Sequence, residues 1–146
     1  MSKDPIVSPS PTAEGGRPVT LNPPGWPEPR GYANGMSATG RIVVTGGVVG
    51  WDVAGQFPVD FAGQARQCFE NIAAILAAGG ATPGHIVRLT WYVTDIEEYQ
   101  ANLRPLGAAY REVFGRHFPA MAVVQVVRLV EKAAKIEIEA TAVIGE

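Results

Sequence analysis

Cysteine, histidine and surplus charge are all scarce in this chain: one Cys, two His, and 12 Lys and Arg against 14 Asp and Glu, a formal net charge of −2 over 146 residues. A lone thiol, Cys68, excludes an intramolecular disulfide, and the first residues lack the basic, apolar, small-residue order of a secretory signal. The expected setting is reducing and cytoplasmic. The near-balance of charge leaves no global positive field for nucleic acid or an anionic membrane surface, so neither is expected as a partner. No apolar run approaches the ~20 residues that cross a bilayer, because Gly, Pro or a charge interrupts each one. His85 and His117 stand 32 residues apart with no HExxH-like spacing, and no metal site is expected.

What the chain does have is 47% hydrophobic residues, enough for a single globular core, and twelve prolines that crowd toward one end. Eight of them fall between Pro5 and Pro29, mixed with Ser, Thr and Gly. The expected organisation is a flexible Pro-rich arm over residues 1–25 followed by one domain over 26–146. From Gly31 the pattern becomes regular. Tyr32–Ser37 and Arg41–Thr45 read as two strands of a hairpin closed near Gly40. Residues from Asp60 to Ala78 carry Phe61, Ala65, Cys68, Phe69, Ile72 and Leu76 at helical spacing, with Gly79-Gly80 as the stop. His85–Val93 is β-branched and aromatic, with Val87, Leu89, Trp91 and Val93 assigned to one face. Asp95 caps a second predicted helix, running through Leu103 and Tyr110 to Phe114, that Pro105 kinks. Ala120–Val130 and Ala134–Ile144 complete the order β-β-α-β-α-β-β.

That order predicts an α+β fold, one sheet with two helices on one face. Val43, Trp91, Val123, Val124, Val126 and Val127 offer more apolar strand surface than one helical layer covers, which predicts a closed homo-oligomer. Two features point to chemistry. Glu137 is an acid on a strand whose partner residues are apolar, suited to handling protons or orienting a water, with a solvated strand face as the plainer reading. Thr45-Gly46-Gly47 lacks side chains where a ligand would approach backbone N–H groups. Cys68 lies on the apolar stripe of its helix and reads as a buried, unactivated thiol.

Several stretches together carry a resemblance: Gly31-Tyr32, Val44-Thr45-Gly46-Gly47, Gln64 through Asn71, Val87 through Asp95, Asn102, Phe118-Pro119-Ala120 and Lys135-Ile-Glu137-Ile-Glu139-Ala. In order and spacing, over about three quarters of the chain, they resemble the RidA family, also called YjgF or L-PSP endoribonuclease-like proteins. The resemblance implies a chorismate-mutase-like protomer with a mixed sheet, a homotrimer with ligand pockets between subunits, and no cofactor. It implies a deaminase that hydrolyses reactive enamines or imines to a keto acid and ammonia. In that scheme Glu137 positions the attacking water, while Tyr32, Thr45 and Gly46 hold the substrate. The family's carboxylate-clamping arginine follows the Pro-Ala step, where this chain has Met121, and Val123 stands where many members carry cysteine.

Methionine cannot reproduce a bidentate guanidinium–carboxylate contact, whose loss in a partly dry pocket costs about 2 to 5 kcal/mol. Arg88 and Arg128 are the basic residues on nearby strands that would have to substitute. With Met121, Val123 and Trp91 around it, the pocket suits a larger, uncharged ligand. Two readings follow: an imine or enamine deaminase with altered preference, and a non-catalytic trimer that binds an apolar small molecule. A ribonuclease reading ranks last, given the charge balance and the lack of interleaved basic and aromatic residues.

Overall fold

The computed structural model describes residues 16–145. In chain order the elements are β1 (Val19–Leu21), β2 (Gly35–Ser37), β3 (Arg41–Val44), β4 (Val48–Val49), α1 (Phe61–Ala78), β5 (Ile86–Val93), α2 (Ile96–Ala101), α3 (Leu103–Phe114), β6 (Ala120–Gln125) and β7 (Ile136–Ile144). The main sheet runs β3–β7–β5–β6, and β4 shares with β3 the same edge of β7. β5 and β6 are parallel and every other pairing in that sheet is antiparallel, so the sheet is mixed and the class is α+β.

Helix α1 begins where Asp60 accepts a hydrogen bond from Gly63 N at 3.1 Å, and ends at Gly79-Gly80, with Gly80 left-handed at φ 80°. Its buried stripe, Phe61, Ala65, Cys68, Phe69, Ile72 and Leu76, covers the face of the sheet to which Leu89, Trp91, Val93, Ile136, Ile138 and Ala140 point. From α3, Leu106, Tyr110 and Phe114 join the same core. Each large side chain fully buried there contributes about 1.5–3 kcal/mol. Gln64 is the exception on the stripe: its amide donates to Pro58 O (3.0 Å) and Ala133 O (2.9 Å) and accepts from Lys135 N (2.8 Å). Fully satisfied, it ties the loop before α1 to the start of β7.

Several expectations change. The hairpin does not form: β2 pairs with β1, and β3 lies instead along β7, in register from Arg41↔Ile144 to Val44↔Thr141. Gly40, at φ 146°, passes so close to Ile144 that no Cβ would fit, which commits the chain to the edge of β7 rather than back onto β2. The second helix is two helices that meet at Asn102, three residues before Pro105. Proline has no N–H to continue the ladder from the preceding turn, so the break precedes it. In β5 a bulge between Ile86 and Arg88 shifts the alternation, burying Ile86 on the same side as Leu89 while Val87 is only half-buried. The sixth strand also stops at Gln125 rather than Val130. Of the expected arm, residues 1–15 lie outside the described residues, and Val19–Leu21 are paired strand. No helix among the described residues is long and apolar enough to cross a membrane.

Candidate active site

The side chains singled out in the sequence separate into two groups. Tyr32, Met121 and Val123 line one cavity of about 550 Å3. Met121 and Val123 pair in register with Leu89 and Trp91, so they project on the helix side of β6, the sheet's edge strand. Tyr32 arrives there because buried Ala33 bridges to Ala120 and donates to Pro119 O at 3.0 Å. The turn just before it uses Gly31 at φ 77°, a conformation that L side chains avoid. The rear wall is aromatic: Trp91 lies 6.4 Å from Tyr110 in a stacked pair, and Tyr110 stacks on Phe118 at 5.5 Å. Such packing fixes the wall before any ligand enters. Burial pushes the Tyr99 and Tyr110 hydroxyls up from the ordinary phenol value, so both stay neutral donors at physiological pH.

Glu137, Thr45 and Gly46 form the second group, toward the opposite edge of the sheet. Glu137 sits on β7 between Ile136 and Ile138, which face the core, so its side chain leaves by the other face. Its carboxylate packs on Gly47, where an added Cβ would lie 2.7 Å from the carboxyl carbon and from Oε2. Among the described residues that carboxylate has no hydrogen-bond or ion-pair partner. Thr45 is occupied by the backbone: its hydroxyl accepts from Ala140 N at 3.0 Å and donates to Gly46 O at 2.7 Å, and its N–H donates to Ala140 O at 2.9 Å. It holds the glycine loop against β7 rather than offering a free hydroxyl. Beside this group, Tyr92 donates to Glu139 at 2.7 Å.

Within one chain the two groups do not meet. Glu137 is two strands from β6, roughly 10 Å in the hydrogen-bonding direction, and on the other face. Of the arginines named as substitutes, Arg88 projects from β5 opposite to Leu89 and Arg128 lies beyond the end of β6, so neither lines this cavity within one chain. Arg30 and Arg111 do line it. Sequence reasoning missed both, although one signal was present. Gly107 interrupts α3 one turn before Arg111, and the Arg111 guanidinium lies across it, 3.2 Å from where a Cβ would be.

The remaining candidates are structural. Cys68 is fully buried, with Sγ 3.4 Å from Val48 O, and burial together with the nearby Glu137 charge pushes its thiol far up from the ordinary value. His85 closes a capping box with Thr82, and the His117 ring lies 2.7 Å from Ile86 O. Among the described residues no group of His, Cys, Asp and Glu is placed to hold a metal.

Residues 27–144 match the family model described as Endoribonuclease L-PSP. The chain is 37% identical over 115 residues to the 2-iminobutanoate/2-iminopropanoate deaminase of Escherichia coli K12, covering 77% of this chain and 86% of that one. Among solved structures, the Rid-family protein YyfB of Yersinia pestis superposes with a TM-score of 0.77 at 29% identity, covering 88% of this chain and 99% of that one. E. coli TdcF, solved with bound serine, superposes with a TM-score of 0.62 at 32% identity, over 88% and 93% of the two chains. With the match running from the proline-rich lead-in through β7, the chain belongs to the RidA/YjgF family.

Proposed function

We propose that this protein is a cofactor-independent imine deaminase whose site is completed between neighbouring copies in a homotrimer, with Glu137 of one copy facing the Tyr32–Met121–Val123 cavity of the next. The observation that carries the reading is the Glu137 carboxylate, which is half-buried against Gly47 and unpartnered among the described residues. It is an acceptor packed on Gly47 with no donor to accept from among the described residues. The deaminase name of the E. coli relative supports the reaction class. The separation of the two groups, toward opposite edges and on opposite faces of the sheet, supports assembly, because a head-to-tail ring brings different parts of neighbouring copies together. Ile42, Val44 and Val124, exposed on the face that no helix covers, are apolar surface for such a contact.

In the proposed reaction a water hydrogen-bonded to Glu137 attacks the imine carbon. Glu137 takes the water's proton as the new C–O bond forms and passes it to the nitrogen, to which the C=N π pair has moved. Ionised again, Glu137 takes the hydroxyl proton of the carbinolamine and delivers it to the amino nitrogen, so that C=O forms as the C–N bond breaks and ammonia departs. The balance is imine plus water to carbonyl plus ammonia, with no electrons gained or lost. The cavity holds the rest of the substrate, and Met121 in place of a guanidinium shifts preference away from the smallest imino acids.

The test is ammonia and keto-acid release from 2-iminopropanoate and bulkier imines generated in situ by an amino-acid oxidase, for wild type, Glu137→Gln and Met121→Arg. Acceleration over background that Glu137→Gln abolishes supports the reading. Met121 favours a second reading, a non-catalytic small-molecule-binding trimer. It predicts no acceleration by wild type on any imine.

A further inference from the structure

The cavity has an electrostatic character that its apolar walls conceal. Its lining holds Arg30 and Arg111 and no Asp or Glu. Neither guanidinium has an ion-pair partner among the described residues; the carboxylate next to Arg111 in sequence, Glu112, pairs with Arg66. One uncharged polar group there is a hydrogen-bond donor without an acceptor, whereas the Tyr110 hydroxyl already donates to His117 O. Trp91, 4% exposed, borders the cavity with an indole N–H that finds no acceptor among the described residues. A buried donor left unpaired costs about 1–3 kcal/mol, a cost that favours any ligand acceptor able to reach the indole. Helix α3 is shaped to the same end. A glycine in mid-helix costs about 0.5–1 kcal/mol relative to alanine, and Gly107 leaves the room in which Arg111 folds back across the helix surface toward the cavity.

Volume narrows the class. About 550 Å3 in one chain, before a neighbouring copy closes over it, lies within the range of pockets that bury drug-sized ligands and exceeds what a three-carbon acid fills. We propose that Arg30 and Arg111 hold the carboxylate of a ligand whose side chain is large and apolar, of aromatic size, packed against Trp91, Tyr110 and Phe118. The carboxylate contact absent at Met121 is thus supplied from the lead-in loop and from α3. The proposed ligand is therefore an acid, in place of the uncharged ligand expected from the sequence. This assignment rests on the reading that this cavity is the substrate half of the deaminase site, but it makes a separable claim about recognition.

Calorimetric binding tests it with inert probes: 3-phenylpropanoate, 3-phenylpropanamide and propanoate, titrated into full-length wild type, Arg30→Gln, Arg111→Gln, the double variant and Arg104→Gln. Arg104 is exposed on α3 outside the cavity and serves as the charge control. Wild type should bind 3-phenylpropanoate about tenfold or more tighter than either the amide, which lacks the charge, or propanoate, which lacks the ring. The double variant should lose the preference for carboxylate over amide while still binding the amide as wild type does, and Arg104→Gln should keep it. No measurable binding of 3-phenylpropanoate, equal affinity for acid and amide, or a preference that survives the double substitution overturns the proposal. Imine turnover is measured in parallel. Turnover without arginine-dependent binding overturns this inference and leaves the deaminase reading standing. Arginine-dependent binding without turnover does the reverse.

Discussion

Replacing Gly47 with alanine tests the role of Glu137 without touching its chemistry. The added methyl would start 2.7 Å from both the carboxyl carbon and Oε2, while ordinary van der Waals contact begins near 3.4 Å, so the carboxylate must retreat by 0.7 Å or more. The atoms that move are the far end of a flexible side chain, and Gly47 does not occupy the positive-φ region, so neither the fold nor the backbone resists. Stability should hold within about 0.5 kcal/mol, a melting shift of only a few degrees. Catalysis should not hold, since a displacement approaching 1 Å at a reacting group costs on the order of a hundredfold in rate, or about 2.7 kcal/mol in barrier. The assay is initial-rate ammonia release from an oxidase-generated imine, alongside thermal denaturation of the same preparations. Glu137→Gln should lose at least as much activity through a different cause, the missing proton acceptor. A Gly47→Ala protein that melts like wild type and turns over within twofold of it would refute the claim that the carboxylate acts from this position.

Gly40→Ala should destabilise by more than about 2 kcal/mol in denaturant unfolding, because the position combines φ 146° with a Cβ site 1.9 Å from Ile144 O. Gln64→Leu should cost about 2–4 kcal/mol by the same measurement, because Pro58 O, Ala133 O and Lys135 N lose their partner together. Cys68 and Tyr110 are both pushed up by burial and remain protonated in the folded chain where the unfolded chain has ionised. Their contribution to stability is complete below about pH 8.5 and declines above it, by about 1.4 kcal/mol per pH unit for Cys68 and as much again for Tyr110 above about pH 10; Cys68→Ala should remove the first slope.

Where local chemistry determines structure, the sequence was readable. The Asp60 cap, the apolar stripe and the Gly79-Gly80 stop define α1 to within a residue, and alternation about Glu137 and Glu139 defines β7. Pairing was less accessible. Whether Gly35–Ser37 joins β3 or β1 depends on competition among edges, and the edge of β7 that captured β3 is about a hundred residues away in sequence. The break at Asn102 was displaced from its visible cause, because the N–H missing at Pro105 acts on the turn before it. The site followed the same division. Tyr32, Met121, Val123 and Glu137 stood out by their places in a motif, and Trp91 by its strand face. Arg30 and Arg111 did not, since one sits in an irregular lead-in and the other at an exposed helix position where only the fold shows that its side chain reaches a cavity.

The central claim is that one chain supplies the cavity and another the carboxylate, and subunit mixing tests it most directly. Glu137→Gln removes the carboxylate and Val123→Phe fills the cavity, so each homo-oligomer should be inactive. Co-expressed at equal levels, they should assemble into rings in which roughly a quarter of the junctions pair an intact cavity with an intact Glu137, restoring about that fraction of wild-type turnover. Mixed oligomers of confirmed composition that stay as inactive as their parents would contradict the account.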